Sequence, residues 1–269
     1  MKRTERVSAL ISILTSTPNK AFSLQHFCDT FNVAKSTVSE DIQAANSALK
    51  VARKGSLITI PGAKGGVKYV PDISDEEIKT LQSELVKKLS DYSRLLGGNF
   101  IYTSDIFCDP GFVTPIATVF ARKFRNCGAD YIITIETKGI PLAYNVAKLM
   151  GLPLVIVRRE ARISEGSTIS INYFSGSDER LQKMSMSKRA IKPGSKLLVI
   201  DDFMRGGGSI VGIEEMVKEF NSSVVGVGVA IASLEPIKKK IDDYICVVNL
   251  GEISTDNQTI EVLPSNKAF

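Results

Sequence analysis

Residues 197–209, LLVIDDFMRGGGS, restrict the fold more than any other stretch of the chain. Leu197, Leu198, Val199 and Ile200 are four apolar residues in succession after the turn signal Lys192-Pro193-Gly194. A short uninterrupted apolar run of this kind reads as a strand buried on both faces of a mostly parallel sheet. Ligands of open α/β sheets bind outside the carboxyl ends of such strands. Asp201 and Asp202 therefore stand where two ionised carboxylates can accept hydrogen bonds from the vicinal hydroxyls of a ribose. Phe203, Met204 and Arg205, counted with the ligand-binding residues, lead on to Gly206, Gly207, Gly208 and Ser209, whose unhindered backbone N–H groups can wrap an anion at the start of a helix. Ile210, Ile213, Val217 and Phe220 then follow at helical spacing. The segment asks for a ribose that carries a phosphate.

Other phosphate loops fit less well. A Walker loop needs Gly-x-x-x-x-Gly-Lys-Ser/Thr, and a dinucleotide fingerprint fails because Ile231 stands where the third glycine after Gly226-Val227-Gly228 is required. The 197–209 pattern resembles the phosphoribosyl pyrophosphate (PRPP) signature of type I phosphoribosyltransferases. Upstream, "ETKGIPLA" (136–143) places Thr137, Lys138 and Gly139 between a strand and a helix, where backbone N–H groups and one ammonium can hold a pyrophosphate. This segment is similar to the pyrophosphate loop of the adenine and xanthine enzymes of that class. Around these motifs, strand-like and helical runs alternate: 100–107 as a strand, a helix from about Pro115 to Asn126, a strand at 131–136, a helix ending at Gly151 and a strand at 152–158. The alternation predicts a parallel α/β sheet.

The first quarter has a different character. Residues 1–73 hold 10 Lys or Arg against 5 Asp or Glu; the whole chain holds 34 and 29, so the remainder is balanced at 24 against 24. A basic module joined to a neutral one points to nucleic acid as partner. Its periodicity gives three helices. Val7, Leu10, Ile11 and Leu14 form the face of the first, and Ser23 caps a second whose face is Leu24, Phe27, Cys28 and Phe31. After Asn32-Val33-Ala34, a third turns Val38, Ile42, Ala45 and Leu49 inward. Two helices joined by about three residues have helix-turn-helix dimensions, which aim the start of the second at a DNA major groove. Lys35, Ser36, Thr37, Ser39 and Gln43 are the residues exposed there, with Lys2 and Arg3 at the chain start as further contacts. Of Glu40 and Asp41 on the same helix, at least one must point away from phosphate, cap the helix or accept from a cytosine amino group. Residues 56–70 read as a hairpin with Lys64 at its tip and Lys68 on the return strand. Three helices and a basic hairpin resemble a winged-helix DNA-binding domain.

The boundary falls near Pro71-Asp72, giving domains 1–73 and 74–269. Ser74-Asp75-Glu76-Glu77 reads as a capping box for a long helix, with Ile78, Leu81, Leu85, Leu89 and Tyr92 inward, closed by Gly97-Gly98. No apolar stretch approaches the roughly 20 residues needed to span a membrane, and the charged start lacks a signal-peptide core, so a cytoplasmic location is expected. Cys28, Cys108, Cys127 and Cys246 include no Cys-x-x-Cys pair, which argues against a zinc site and for reduced core thiols. The only histidine, His26, adjoins Phe27 in a helical pattern and reads as structural.

With "AKSTVSEDI" (34–42), "ETKGIPLA" and the 197–209 segment, the whole chain resembles the purine operon repressor family of Gram-positive bacteria. The resemblance implies a homodimeric repressor of purine synthesis and salvage genes that binds operator DNA. In that reading the second domain binds PRPP, alone or with Mg2+, or related phosphorylated nucleotides, as an effector that relieves DNA binding. It implies no catalytic residue and no catalytic cofactor. Some purine-transferring relatives carry an aspartate three residues after the acidic pair as general base; this chain has Arg205 there, and a guanidinium cannot accept a proton at neutral pH. The adenine and xanthine enzymes lack that aspartate as well. The region from Arg158 to Lys192, which would carry the mobile catalytic loop and the hood over the base, leaves Lys183 and Lys188 open as catalytic lysines. The alternative is an active purine phosphoribosyltransferase with a regulatory nucleic-acid-binding domain.

Overall fold

The computed structural model describes residues 1–62, 65–97, 100–160, 166–174 and 181–269. They form two compact units, Met1–Ser74 with Lys148–Gly151, and Asp75–Ala147 with Leu152–Phe269.

The first unit is a winged helix. It comprises α1 (Arg3–Ser16), α2 (Leu24–Phe31), α3 (Lys35–Val51) and the antiparallel strands β1 (Gly55–Ile60) and β2 (Gly66–Pro71). The Ser23 hydroxyl accepts from the His26 N–H at 3.1 Å to start α2, and Asn32 at φ 53° ends it. Val38, Ile42, Ala45 and Leu49 of α3 are all buried against Leu10, Leu14, Phe27 and Phe31. The Leu57 N–H donates to Asn46 Oδ1 at 2.8 Å, fastening β1 to α3, and the Tyr69 hydroxyl donates to the Lys54 carbonyl.

The second unit is built on a six-stranded sheet in the order β12-β11-β10-β9-β5-β6, parallel except for the β11–β12 pair. Its strands are β5 (Tyr131–Ile135), β6 (Leu154–Val157), β9 (Lys196–Met204), β10 (Ser223–Ser233), β11 (Ile245–Ser254) and β12 (Thr259–Pro264). The helices α4 (Asp75–Leu89), α6 (Pro110–Lys123), α7 (Ile140–Met150) and α8 (Gly208–Lys218) pack around it, and β7 (Thr168–Phe174) pairs with β8 (Leu181–Ser187) as a separate hairpin. From β5 the chain winds outward through α7 to β6, whereas from β9 it winds the other way through α8 to β10. The reversal places a topological switch point between β5 and β9, where a crevice opens. Among the described residues no helix is long and apolar enough to cross a membrane.

Several boundaries differ from the sequence reading. Of 100–107, only Phe100–Ile101 is a strand, β4, paired with β3 (Leu95–Leu96); Ser104–Phe107 form a helical turn, α5, that buries both Ile106 and Phe107. Adjacent residues of a strand face opposite sides, whereas one helical turn can bury both on one side. The next helix begins at Pro110 rather than Pro115. Asp109 caps it by accepting from the Gly111 N–H at 2.8 Å, and Pro110 occupies the first turn, where its missing N–H costs nothing. α4 stops at Leu89, because the Asp91 carboxylate accepts from the Ser93 N–H at 3.0 Å and turns the chain into a 3-10 segment, Tyr92–Arg94, that replaces the helix. Tyr92 is therefore not on the helix face, and Gly98 lies outside the described residues. Cys28 and Cys246 are buried thiols as expected, but Cys108 is exposed beyond the end of α5.

Candidate functional site

The strand β9 is longer than its apolar run. It continues through the acidic pair, with Asp201 paired to Val229 and Phe203 to Ile231 of β10. On the other side, its pairing with β5 ends at Ile133↔Val199, so Asp201 faces the 136–139 loop across the opening of the crevice. A cavity of about 670 Å³ occupies this position, lined by Thr137, Lys138, Asp201, Asp202, Phe203, Arg205 and Ser209 among others. Both loops and both carboxylates singled out in the sequence thus converge on one concavity.

The local geometry explains the sequence of each loop. A Cβ on Gly139 would overlap Asp201 Oδ1 and lie 2.7 Å from Thr134 Oγ1, so only glycine lets the loop close over the acid. Glu136, just before it, is held by the Arg158 guanidinium at 3.1 Å and by the Arg159 N–H at 2.8 Å, which ties the ends of β5 and β6 together. Gly207 has φ 82° and caps α8, a conformation that favours glycine. The far side of the glycine loop is braced by residues 236–241. Lys239 Nζ donates to the Arg205 carbonyl at 3.1 Å, the Lys240 N–H donates to the Gly206 carbonyl at 2.9 Å, and Ile241 packs against Gly207. These contacts occupy loop carbonyls and fix the loop at the helix N-terminus, where an anion is favoured.

Among the expected ligand residues, Met204 is placed otherwise and the three loop glycines offer backbone alone. Met204 is 3% exposed and packs in the core cluster with Ile210, Ile213 and Val229, because the strand still alternates there and Phe203 takes the outward position. Gly206, Gly207 and Gly208 are buried and contribute backbone rather than cavity surface. Lys183 and Lys188 are exposed and do not line the cavity.

The charges are unbalanced. Asp201 is 7% exposed, and burial, reinforced by the Asp202 charge, pushes its carboxyl well above the usual carboxylate range; Arg159 opposes the shift. Burial also raises Asp202, against which its hydrogen bonds and the Lys138 ammonium act. Two like charges side by side in a partly dry crevice are costly until donors arrive, and ribose hydroxyls are such donors.

Sequence reasoning missed several cavity residues. Gln182 comes from β8, its Oε1 accepting from the Tyr173 hydroxyl at 2.8 Å, while Arg159 follows β6. Phe100 and Ile101 of β4, with Leu250 and Ile253 of β11, form an apolar wall. None lies in a phosphate motif; topology alone assembles them.

In the winged helix, Lys35, Ser36 and Gln43 are exposed on α3, and Thr37 and Ser39 are half-buried. Ser39 Oγ donates back to the Lys35 carbonyl at 3.0 Å. Asp41 is buried and pairs with the Arg6 guanidinium at 2.7 and 3.3 Å, so it does not face outward as a charge. Arg3 lies 3.6 Å from the same carboxylate and remains largely exposed, and Lys2 is exposed at the start of α1. Lys68 is half-buried, its ammonium donating to Asn19 Oδ1 at 3.0 Å, so it stands less free than the hairpin reading expected. Lys64 lies outside the described residues.

Fold and site together define a class: a winged helix joined to a type I phosphoribosyltransferase-like domain. Residues 2–71 match the family described as the N-terminal domain of the bacterial purine repressor, and residues 103–267 match the phosphoribosyl transferase domain. The chain is 37% identical over 265 residues to the purine biosynthesis transcriptional repressor PurR of Bacillus subtilis, covering 98% of this chain and 93% of that protein. It is 36% identical over 266 residues to the purine biosynthesis transcriptional activator PurR of Lactococcus lactis, covering 99% and 98%. Among solved structures, the adenine phosphoribosyltransferase of Rhodothermus marinus aligns with 64% of this chain and 99% of its own, with a TM-score of 0.54 and 19% identity, a likeness of fold. The chain belongs to the bacterial purine repressor family.

Proposed function

We propose that the chain is a homodimeric, DNA-binding repressor of purine biosynthesis and salvage genes whose second domain binds PRPP, alone or with Mg2+, without transferring the ribosyl group. The observation that carries the ligand reading is the meeting of Asp201 and Asp202 with the 136–139 loop and the start of α8 around one cavity. The carboxylates suit vicinal ribose hydroxyls, the α8 N-terminus suits the 5-phosphate, and the loop with Lys138 suits a pyrophosphate. The full-length similarity to named transcriptional regulators supports the non-catalytic reading. Arg205 lines the same cavity and suits an anion there. Operator DNA would be read by the exposed start of α3.

The double substitution Asp201→Ala, Asp202→Ala is expected to abolish PRPP binding in calorimetry and leave operator binding intact. Undiminished PRPP affinity would mean that the carboxylates do not hold the ribose. A coupled assay for pyrophosphate release from PRPP with adenine, guanine, hypoxanthine or xanthine tests the rest, and turnover with any of these bases would make the protein an enzyme.

A further inference from the structure

The interior of β5 contains a polar atom that the folded, ligand-free protein does not use. Thr134 is 0% exposed, and its Oγ1 is a buried side-chain oxygen without a hydrogen-bond partner among the described residues. Its strand neighbours Ile132, Ile133 and Ile135 are aliphatic and buried. A valine would fill the same space without stranding a hydroxyl, so the threonine lowers stability for no return in the free state.

The hydroxyl lies at the ligand site. Thr134 Oγ1 and Asp201 Oδ1, from adjacent parallel strands, converge on the Cβ position that Gly139 leaves empty. Both stand just beyond Ile133↔Val199, where the β5–β9 pairing ends. Asp201 Oδ1 already accepts from the Asp202 N–H at 3.0 Å, and a carboxylate oxygen has capacity for a second donor.

We propose that Thr134 is a positioning residue for the acidic pair: with a phosphorylated ribose in the cavity, its hydroxyl donates to Asp201 Oδ1 and fixes that carboxylate beneath the 136–139 loop. The other oxygens of the pair are then free for the ribose hydroxyls. This rests on the reading that Asp201 and Asp202 hold the ribose. The charges that act on the pair are differently placed, with Asp202 beside Asp201 on β9, Arg159 after β6 and Lys138 on the loop, while Glu136, Arg205, Glu235 and Glu252 also line the cavity. None of them donates a buried hydroxyl from beneath. The absence of a side chain at Gly139 follows from the same arrangement, since any Cβ would separate the two oxygens.

The test compares Thr134→Val and Thr134→Ser with the unaltered full chain, using PRPP as the titrant in calorimetry and thermal unfolding of the ligand-free protein. Thr134→Val is expected to unfold at the same temperature or higher, yet to bind PRPP about 10-fold more weakly, the scale of one hydrogen bond to a charged group. Thr134→Ser, which restores the hydroxyl, is expected to bind within about 3-fold of the unaltered protein. Should the valine variant not fold, Thr134→Ala removes the hydroxyl instead, and the comparison with serine stands. Unchanged PRPP affinity in the variant without the hydroxyl, or equal weakening in the serine variant, overturns the assignment of Thr134. If Asp201→Ala, Asp202→Ala also loses binding, only Thr134 has been misassigned. If that double variant keeps full affinity, or if the unaltered chain does not bind PRPP, the ribose reading itself fails.

Discussion

Asp201 concentrates the chemistry of the site in a single residue. Its pKa is raised by burial and by Asp202, so the folded protein holds the proton more tightly than the unfolded chain, whose aspartates titrate near 3.9. A raised carboxylate contributes most below the unfolded value, and that contribution is lost as pH climbs through the folded pKa. Asp201→Asn, which cannot ionise, is therefore expected to raise the unfolding temperature of the ligand-free protein at pH 8 and to change it little at pH 4. Thermal melts across pH 4–8 check this, and an equal shift at both ends would show that the carboxyl is not strained by its charge. The place of the acidic pair at a strand end was legible because a run of four apolar residues leads directly into it. Its burial was not, because it depends on how far the β5–β9 pairing reaches. Asp41 taught the converse. Its place on the reading helix raised the question of a repulsive charge, and the answer lay in Arg6, 35 residues away in sequence.

The Arg6–Asp41 pair also matters among the elements, since it joins α1 to α3, the helix that would enter the groove. Removing Arg6 leaves the buried Asp41 carboxylate with the more distant Arg3 at 3.6 Å, and breaking a buried pair costs up to about 3–5 kcal/mol. Arg6→Met is expected to destabilise the protein by that order in denaturant melts; a loss below about 1 kcal/mol would mean that the pair is solvated. In the second unit, Arg94 grips Asp105 at 2.8 and 2.7 Å, and Lys88 adds a contact at 3.2 Å, holding that carboxyl at about 2. This brace links the end of α4, the 3-10 segment and α5 around the β3–β4 pair, whose Phe100 and Ile101 line the cavity. None of it was visible in local periodicity. The α3 core face and the hairpin strands were legible, because their patterns repeat over several residues. The end of α4 and the start of α6 were misread because single side-chain caps, Asp91 and Asp109, decide where they fall rather than hydrophobic period.

For the whole molecule, the two parts of the sequence announced themselves separately, one by basic excess and the other by its strand–loop–helix motifs; how one informs the other is a question of free energy. If the cavity senses, PRPP must bind the DNA-free protein better than the DNA-bound protein, since a ligand shifts an equilibrium only by its differential affinity. Operator DNA must then weaken PRPP binding by the same factor, about 5- to 150-fold for a coupling of 1–3 kcal/mol. Ionic strength has to be held constant in that comparison. DNA affinity itself will fall steeply with salt through counterion release, and Lys35→Ala is expected to flatten that slope by up to about 1. Calorimetric titration of PRPP with and without a saturating operator duplex, at fixed salt and Mg2+, gives the coupling directly. Weaker PRPP binding on the operator complex is the expected result and makes PRPP a release signal. Tighter binding would reverse the sign, so that PRPP promotes occupancy of the operator, a behaviour suited to an activator, the name the Lactococcus relative carries. Equal affinities would leave two binding sites on one chain without communication, and the sensor reading would fail even though each domain binds its own ligand.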